Sequence, residues 1–206
     1  IVNLQFNKSK IAIIDYGVGN VQSVKNAFNA IVNSDVYITK DPKIIIDSDF
    51  LILPGVGAFD TAMNSLKSTG LIPTLENEVL NKQKPLLGIC LGFQILFTNS
   101  EEGSENGLNW IPGKIIHFDR SYQISIPHFG WNEILIKDNE WLFSNMSKNK
   151  NFYFAHSYHV STNDKYVSAT CIHGYEFPVI VRKKNIFGFQ FHPEKSHKSG
   201  LNLLKN

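Results

Sequence analysis

The chain has 206 residues, 43% hydrophobic and 18% charged, which suits a sizeable core and reads as globular rather than disordered. Its formal net charge is +2, from 20 basic and 18 acidic side chains, and its longest basic run is Arg182-Lys183-Lys184. That balance gives no electrostatic case for a nucleic acid or a membrane surface as partner.

In chain order, Ile11-Ala12-Ile13-Ile14-Asp15 is a β-branched run that ends in the glycine-rich turn Tyr16-Gly17-Val18-Gly19-Asn20. Val21, Val24, Ala27, Phe28 and Ile31 recur at helical spacing. Val36-Tyr37-Ile38 reads as a second strand, and Phe50-Leu51-Ile52-Leu53 as a third, stopped by Pro54-Gly55-Val56-Gly57. Ala62 and Leu66, then Leu71, Leu75, Val79 and Leu80, predict helical segments broken at Gly70 and Pro73. Pro85-Leu86-Leu87-Gly88-Ile89 predicts a fourth strand ending at Cys90, with a helix through Gln94-Ile95-Leu96-Phe97 directly behind it.

This half alternates strand and helix, the pattern of a parallel sheet with helices on both faces. From Gly113 to Phe189 the runs turn short and β-like: Ile115 to Phe118, Phe152 to Phe154, Tyr166 to Thr170 and Val179 to Val181. They suit antiparallel additions to the same sheet. Leu201 to Leu204 predicts a terminal helix. The fold class is therefore α/β, an open, mainly parallel central sheet with antiparallel additions in the second half. No repeat or linker divides it, so residues 1–206 read as one domain. Two cysteines, Cys90 and Cys171, make no disulfide framework, and Ile1 to Lys10 lack the pattern of a secretory leader. No stretch approaches the roughly 20 apolar residues of a membrane helix. A cytoplasmic protein with reduced thiols is the expectation.

Cys90 stands in Gly88-Ile89-Cys90-Leu91-Gly92, at the carboxyl end of a predicted parallel strand, which is the functional edge of an open α/β sheet. Glycines flanking a nucleophile at this spacing suit a strained strand-turn-helix elbow. A helix N-terminus behind the sulfur would favour thiolate. A buried core cysteine explains the same residue, and the local pattern leaves both readings open. Cys171 has no such setting and reads as a core thiol.

A thiol nucleophile needs a base, and the base an orienting group. Among seven histidines, His192 has the most constrained setting, after the apolar run Ile186 to Phe191 and before Pro193-Glu194. Proline pushes the residue before it toward an extended shape, which lets Glu194 reach one ring nitrogen while the other faces the sulfur. A surface turn would also explain His-Pro-Glu. His128, His156 and His173 read as structural, and His117, His159 and His197 have nothing to distinguish them. Oxyanion donors are expected from the amide of Leu91 and from Pro54-Gly55-Val56-Gly57, though an ordinary β-to-α turn accounts for the latter equally well.

Gly88-Ile-Cys-Leu-Gly-Phe-Gln94, Phe189-Gln-Phe-His-Pro-Glu194 and Pro54-Gly-Val-Gly57 resemble the nucleophile elbow, His-Pro-Glu motif and oxyanion strand of class I glutamine amidotransferases. Asp15-Tyr-Gly-Val-Gly-Asn20, Pro127-His-Phe-Gly-Trp-Asn132, Phe154-Ala-His-Ser-Tyr158 and Lys195-Ser196 narrow the resemblance to the glutaminase subunits of imidazole glycerol phosphate synthase, from about Ile11 to the C-terminus. The resemblance implies a Cys90-His192-Glu194 triad that releases ammonia from glutamine. It implies that Gln94 and the backbones of Gly55, Gly57, Ser157 and Tyr158 hold the substrate, with Val56 and Leu91 in the oxyanion hole. It further implies a (β/α)₈-barrel cyclase partner that uses the ammonia to make imidazole glycerol phosphate and an aminoimidazole carboxamide ribonucleotide. Asn20, Trp131, Tyr153 and Lys195 fall where such subunits meet that partner. No cofactor is implied, and no His, Cys and carboxylate cluster has metal-ligand spacing. Phe129 stands where the family often has methionine.

Three other readings compete. A similar glutaminase could feed a partner that aminates an envelope sugar. A relative could have lost its chemistry, but all three triad positions are occupied. A cysteine hydrolase of similar architecture would leave Asn20 and Pro127 to Asn132 without a purpose.

Overall fold

The computed structural model describes residues 9–137, 141–144, 146 and 150–206. The absence of a leader pattern in Ile1 to Lys10 falls largely on residues 1–8, outside the described residues.

The strands and helices alternate through β1 (Lys10–Ile14), α1 (Val21–Asn29), β2 (Asp35–Thr39), α2 (Pro42–Asp47), β3 (Phe50–Gly55), α3 (Phe59–Ser68), α4 (Ile72–Glu76), β4 (Leu86–Cys90) and α5 (Leu91–Gln94). They continue as β5 (Asn99–Ser100), β6 (Gly113–His117), β7 (His128–Ile136), β8 (Asn151–His156), β9 (Tyr158–Thr162), β10 (Val167–His173), β11 (Tyr175–Lys183), β12 (Ile186–Phe189) and α6 (His197–Lys205). One nine-stranded sheet has the order β2-β1-β3-β4-β12-β11-β10-β7-β8, and a three-stranded sheet has the order β5-β6-β9. Strands β1 to β4 and β12 pair in parallel, and β11, β10, β7 and β8 add on antiparallel. This is the predicted α/β class. Among the described residues no helix is long and apolar enough to cross a membrane.

Both faces of the parallel half are apolar because alternate side chains point to opposite layers. Ala12, Ile14, Leu51 and Leu53 pack with Phe59, Leu66 and Leu75 of α3 and α4. Ile11, Ile13, Ile52 and Ile89 pack on the other side with Val24 and Phe28 of α1 and Leu203 of α6.

Several elements depart from expectation. Pro73 does not break a helix; it lies in the first turn of α4, where its missing N–H costs nothing. α2 has a single buried residue, Ile45, so it left no apolar period; it is started by Asp41 accepting from the amide of Lys43 at 2.8 Å. Strand β3 runs on through Pro54 and Gly55, which pair with Ile89 and Cys90. β7 was not apparent because its inward side chains are His128, Gly130 and Asn132, which invert the usual apolar-in alternation. β9 was hidden likewise by His159, which is buried.

Candidate active site

Cys90 closes β4, beside Gly55 at the end of β3. Its backbone has φ 54° and ψ −110°, a left-handed conformation that a non-glycine residue holds only when its surroundings impose it. The flanking glycines supply that setting. A Cβ on Gly92 would collide with the Leu53 carbonyl, and one on Gly88 would lie 2.8 Å from the Gly92 carbonyl oxygen. The chain can therefore double back against β3 only with hydrogen at both positions. The helix behind the elbow is shorter than predicted. α5 spans four residues, and Ile95 to Phe97 continue as buried turns. A single turn has only a short macrodipole to direct at the sulfur.

His192 follows β12, the parallel neighbour of β4. It is extended, with φ −99° and ψ 94°, as the following proline requires. Its amide donates to the Tyr153 carbonyl at 2.9 Å, which pins the backbone to β8. Nδ1 lies 2.8 Å from Glu194 Oε1, and Cys90 is close enough to act on the ring's charge. The structure thus brings Cys90, His192 and Glu194 to the ends of two neighbouring parallel strands. Burial pulls the imidazole pKa down, but the adjoining Cys90 and Glu194 outweigh it and push it up to about 10. In this setting the imidazole favours its protonated form. Ser196 was not singled out as a support. Its hydroxyl donates to the His192 carbonyl at 2.6 Å and accepts from the Tyr153 amide at 3.0 Å, so it staples the turn to β8. Glu194 Oε2 is buried with no hydrogen-bond partner among the described residues. Cys171 is a core thiol: it is fully buried in the apolar layer, and burial pushes it up to about 12.

The Pro54–Gly57 segment reaches over the elbow, with Val56 41% exposed and Gly57 at φ +99°. Leu91 follows the sulfur directly, so its amide opens α5 beside Gly55. Beneath Gly55 sits Tyr16, whose hydroxyl would be 2.6 Å from a Cβ at that glycine. That hydroxyl is buried and has no hydrogen-bond partner among the described residues. Burial, then the nearby Cys90, pushes the phenol above its ordinary range. An unpaired buried hydroxyl opposes folding. Tyr16→Phe is therefore expected to leave thermal stability unchanged or raise it, by up to about 1 kcal/mol, in a melting experiment. A loss of more than that would mean the hydroxyl has a partner.

Gln94 is buried at the end of α5, and its Nε2 donates to the Tyr158 carbonyl and to Gln190 Oε1, each at 3.0 Å. Ser157 lies between β8 and β9, and its carbonyl accepts from the Phe118 amide at 3.2 Å. Around the rim, Trp131 stacks on His197 at 5.1 Å between centroids and meets Tyr153 edge-on at 6.0 Å. Lys195 Nζ sits 5.8 Å from the centre of the Tyr153 ring. Phe129, 70% exposed, extends this aromatic patch through Tyr153. Asn20 caps α1, accepting from the Ser23 amide at 3.2 Å, and α1 packs against the Pro193–Lys195 turn. No potential metal-holding group of His, Cys and carboxylates occurs among the described residues.

The glutamine amidotransferase class-I family matches residues 12–206. The chain belongs to the class I glutamine amidotransferases. An imidazole glycerol phosphate synthase subunit HisH 2 from Methanococcus maripaludis is 48% identical over 197 residues, covering 95% of this chain and 97% of the relative. A subunit of the same name from Vibrio vulnificus is 45% identical, covering 96% and 92%. The subunit HisH 1 of Campylobacter jejuni strain 81-176 is 43% identical, covering 95% and 98%. Among solved structures, PurLQS from Thermotoga maritima aligns with a TM-score of 0.71 at 18% identity, covering 96% of each chain. At that identity it supports the class I amidotransferase fold alone.

Proposed function

We propose that this class I amidotransferase is the glutaminase subunit of imidazole glycerol phosphate synthase, in histidine biosynthesis. The observation that carries the chemistry is His192, bonded to Glu194 and near Cys90, at the ends of neighbouring parallel strands. The acceptor pathway is carried by relatives of that name at 43 to 48% identity over nearly the whole chain.

In this reading the Cys90 sulfur attacks the side-chain amide carbon of glutamine. The developing oxyanion takes hydrogen bonds from the amide of Leu91 and from the Gly55–Gly57 loop. The C–N bond breaks as His192 gives its proton to the departing nitrogen, and ammonia leaves. His192 then takes a proton from water, which attacks the thioester, releases glutamate and restores the thiol. Glu194 keeps the imidazole oriented through both steps. Ser157 and Tyr158 contribute backbone contacts to the substrate, and Gln94 a side-chain contact. Asn20, Trp131, Tyr153 and Lys195 meet a (β/α)₈-barrel cyclase in a cytoplasmic heterodimer, and the ammonia passes into that partner. The chain acts as one domain without a cofactor.

A subunit that wasted glutamine alone would defeat this arrangement. The Gly55-Val56 peptide is placed to turn an amide toward or away from the oxyanion, and partner docking selects the productive orientation. Glutamate release should rise at least about tenfold when the cyclase and its phosphoribosyl formimino ligand are added to the purified chain. Full hydrolysis by the chain alone would sink the gating. The relatives' names carry the numbers 2, 2 and 1, which suits duplicated subunits and keeps a sugar-amidating partner as second reading. Stimulation by that partner's barrel and not by the cyclase would select it.

A further inference from the structure

His128 and His156 are buried, yet the chemistry above uses neither. They face each other across β7 and β8. His156 Nδ1 lies 2.8 Å from the Tyr158 carbonyl. A carbonyl only accepts, so Nδ1 carries the proton and Nε2 of the neutral ring must accept. The atom facing it at 3.0 Å is His128 Nδ1, which therefore donates. His128 Nε2 is then an acceptor as well, and Asn132 Nδ2 approaches it at 3.1 Å. Asn132 Nδ2 also donates to the Ile172 carbonyl at 2.9 Å, while its Oδ1 accepts from the Glu133 amide at 2.8 Å. Every donor in this chain meets an acceptor, and the two terminal carbonyls allow only one direction.

The pair stays neutral. Burial, then His173, holds His128 down at about 4. Burial, then His128, holds His156 well below its ordinary range. The Tyr158 carbonyl receives two hydrogen bonds, from His156 and from Gln94 Nε2. The other Gln94 amide hydrogen goes to Gln190 Oε1. With both hydrogens committed, Gln94 has only its Oε1 left to offer a ligand.

We propose that Asn132, His128 and His156 form a one-way hydrogen-bond relay that positions the Tyr158 carbonyl, and through it Gln94, for the glutamine substrate. It rests on the glutaminase reading above. His156 is a positioning residue: it touches neither the sulfur nor the scissile amide. Its loss frees the Tyr158 carbonyl and lets the Gln94 amide turn, which weakens substrate binding and leaves the step at Cys90 alone.

The test is alkylation of Cys90 by a diazo-ketone analogue of glutamine, with KI separated from kinact. His156→Asn keeps a donor at the δ position, His156→Gln moves it to the ε position, and His156→Leu removes it. KI should rise about tenfold in the Leu and Gln variants, with kinact within about twofold, and return to within about threefold in His156→Asn. An unchanged KI in His156→Leu, or an Asn variant as weak as the Leu variant, overturns the relay. Long-range nitrogen–proton NMR of the unsubstituted chain decides independently of any variant's folding. The relay requires Nδ1–H at both His128 and His156, and Nε2–H at either overturns it. If glutamine does not protect Cys90 of the unsubstituted chain from the analogue, the glutaminase reading itself fails, and the relay with it.

Discussion

Cys90→Ser should lower glutamine-dependent glutamate release at least about 10³-fold, while synthesis from added ammonia by the partnered complex continues at the original rate. A serine hydroxyl is far harder to ionise than a thiol, and replacing the Cys90 side chain also removes one of the two groups that raise the His192 pKa, so the variant lacks the charged pair that a nucleophilic attack needs. The substitution removes one nucleophile and leaves the elbow, since serine fits the cysteine's space. In the proposed division of labour the partner performs the ammonia step, so that rate should be indifferent to the sulfur. Loss of both activities would contradict the division of labour. Retention of glutamine-dependent synthesis would remove Cys90 from the mechanism.

Gly92→Ala should unfold the elbow rather than poison it. The new methyl would collide with the backbone carbonyl of Leu53, the residue before the Pro54–Gly57 loop, so no side-chain rotation relieves it. Either β3 moves away from β4 or the turn after Cys90 opens, and both expose Leu53 and Leu91 from the core. The expected cost is at least about 3 kcal/mol, or a melting temperature lower by about 6–12 °C for a chain of this size. Gly57→Ala is the contrast. It has open space for the methyl but φ +99°, so strain alone should cost about 1–2 kcal/mol. If the Gly92 variant melted within about 2 °C of the original chain, the close packing of elbow on strand would be wrong.

The parallel half was legible because its strands are buried on both faces and read as unbroken apolar runs, Ile11 to Ile14 and Phe50 to Leu53 among them. The fold class and the family followed from local text: a G-x-C-x-G turn and a His-Pro-Glu each constrain a few neighbouring residues, and such constraints are written in sequence. The second half was less legible. β7 turns His128 and Asn132 inward, and no rule of apolar alternation finds a strand whose buried side is polar. His128 and His156 read as structural histidines in the sequence, since a hydrogen-bond chain from Asn132 to Tyr158 has no sequence period.

Cys90 marks where the two kinds of information divide. The sequence by itself determined that a cysteine stands at a strand end between two glycines, and that His192 precedes Pro193-Glu194. Local patterns could not join them, because a hundred residues of intervening chain set no distance. The tertiary structure decided that, by pairing β12 in parallel with β4 so that both strands end at one edge. It also decided what surrounds the pair: a glycine loop at the elbow, a buried Tyr16 hydroxyl with no partner among the described residues, and a His128–His156 hydrogen bond on the strands that lead to Tyr158. These depend on residues distant in the chain approaching to hydrogen-bond range, which burial of the two apolar layers enforces and residue spacing alone does not encode.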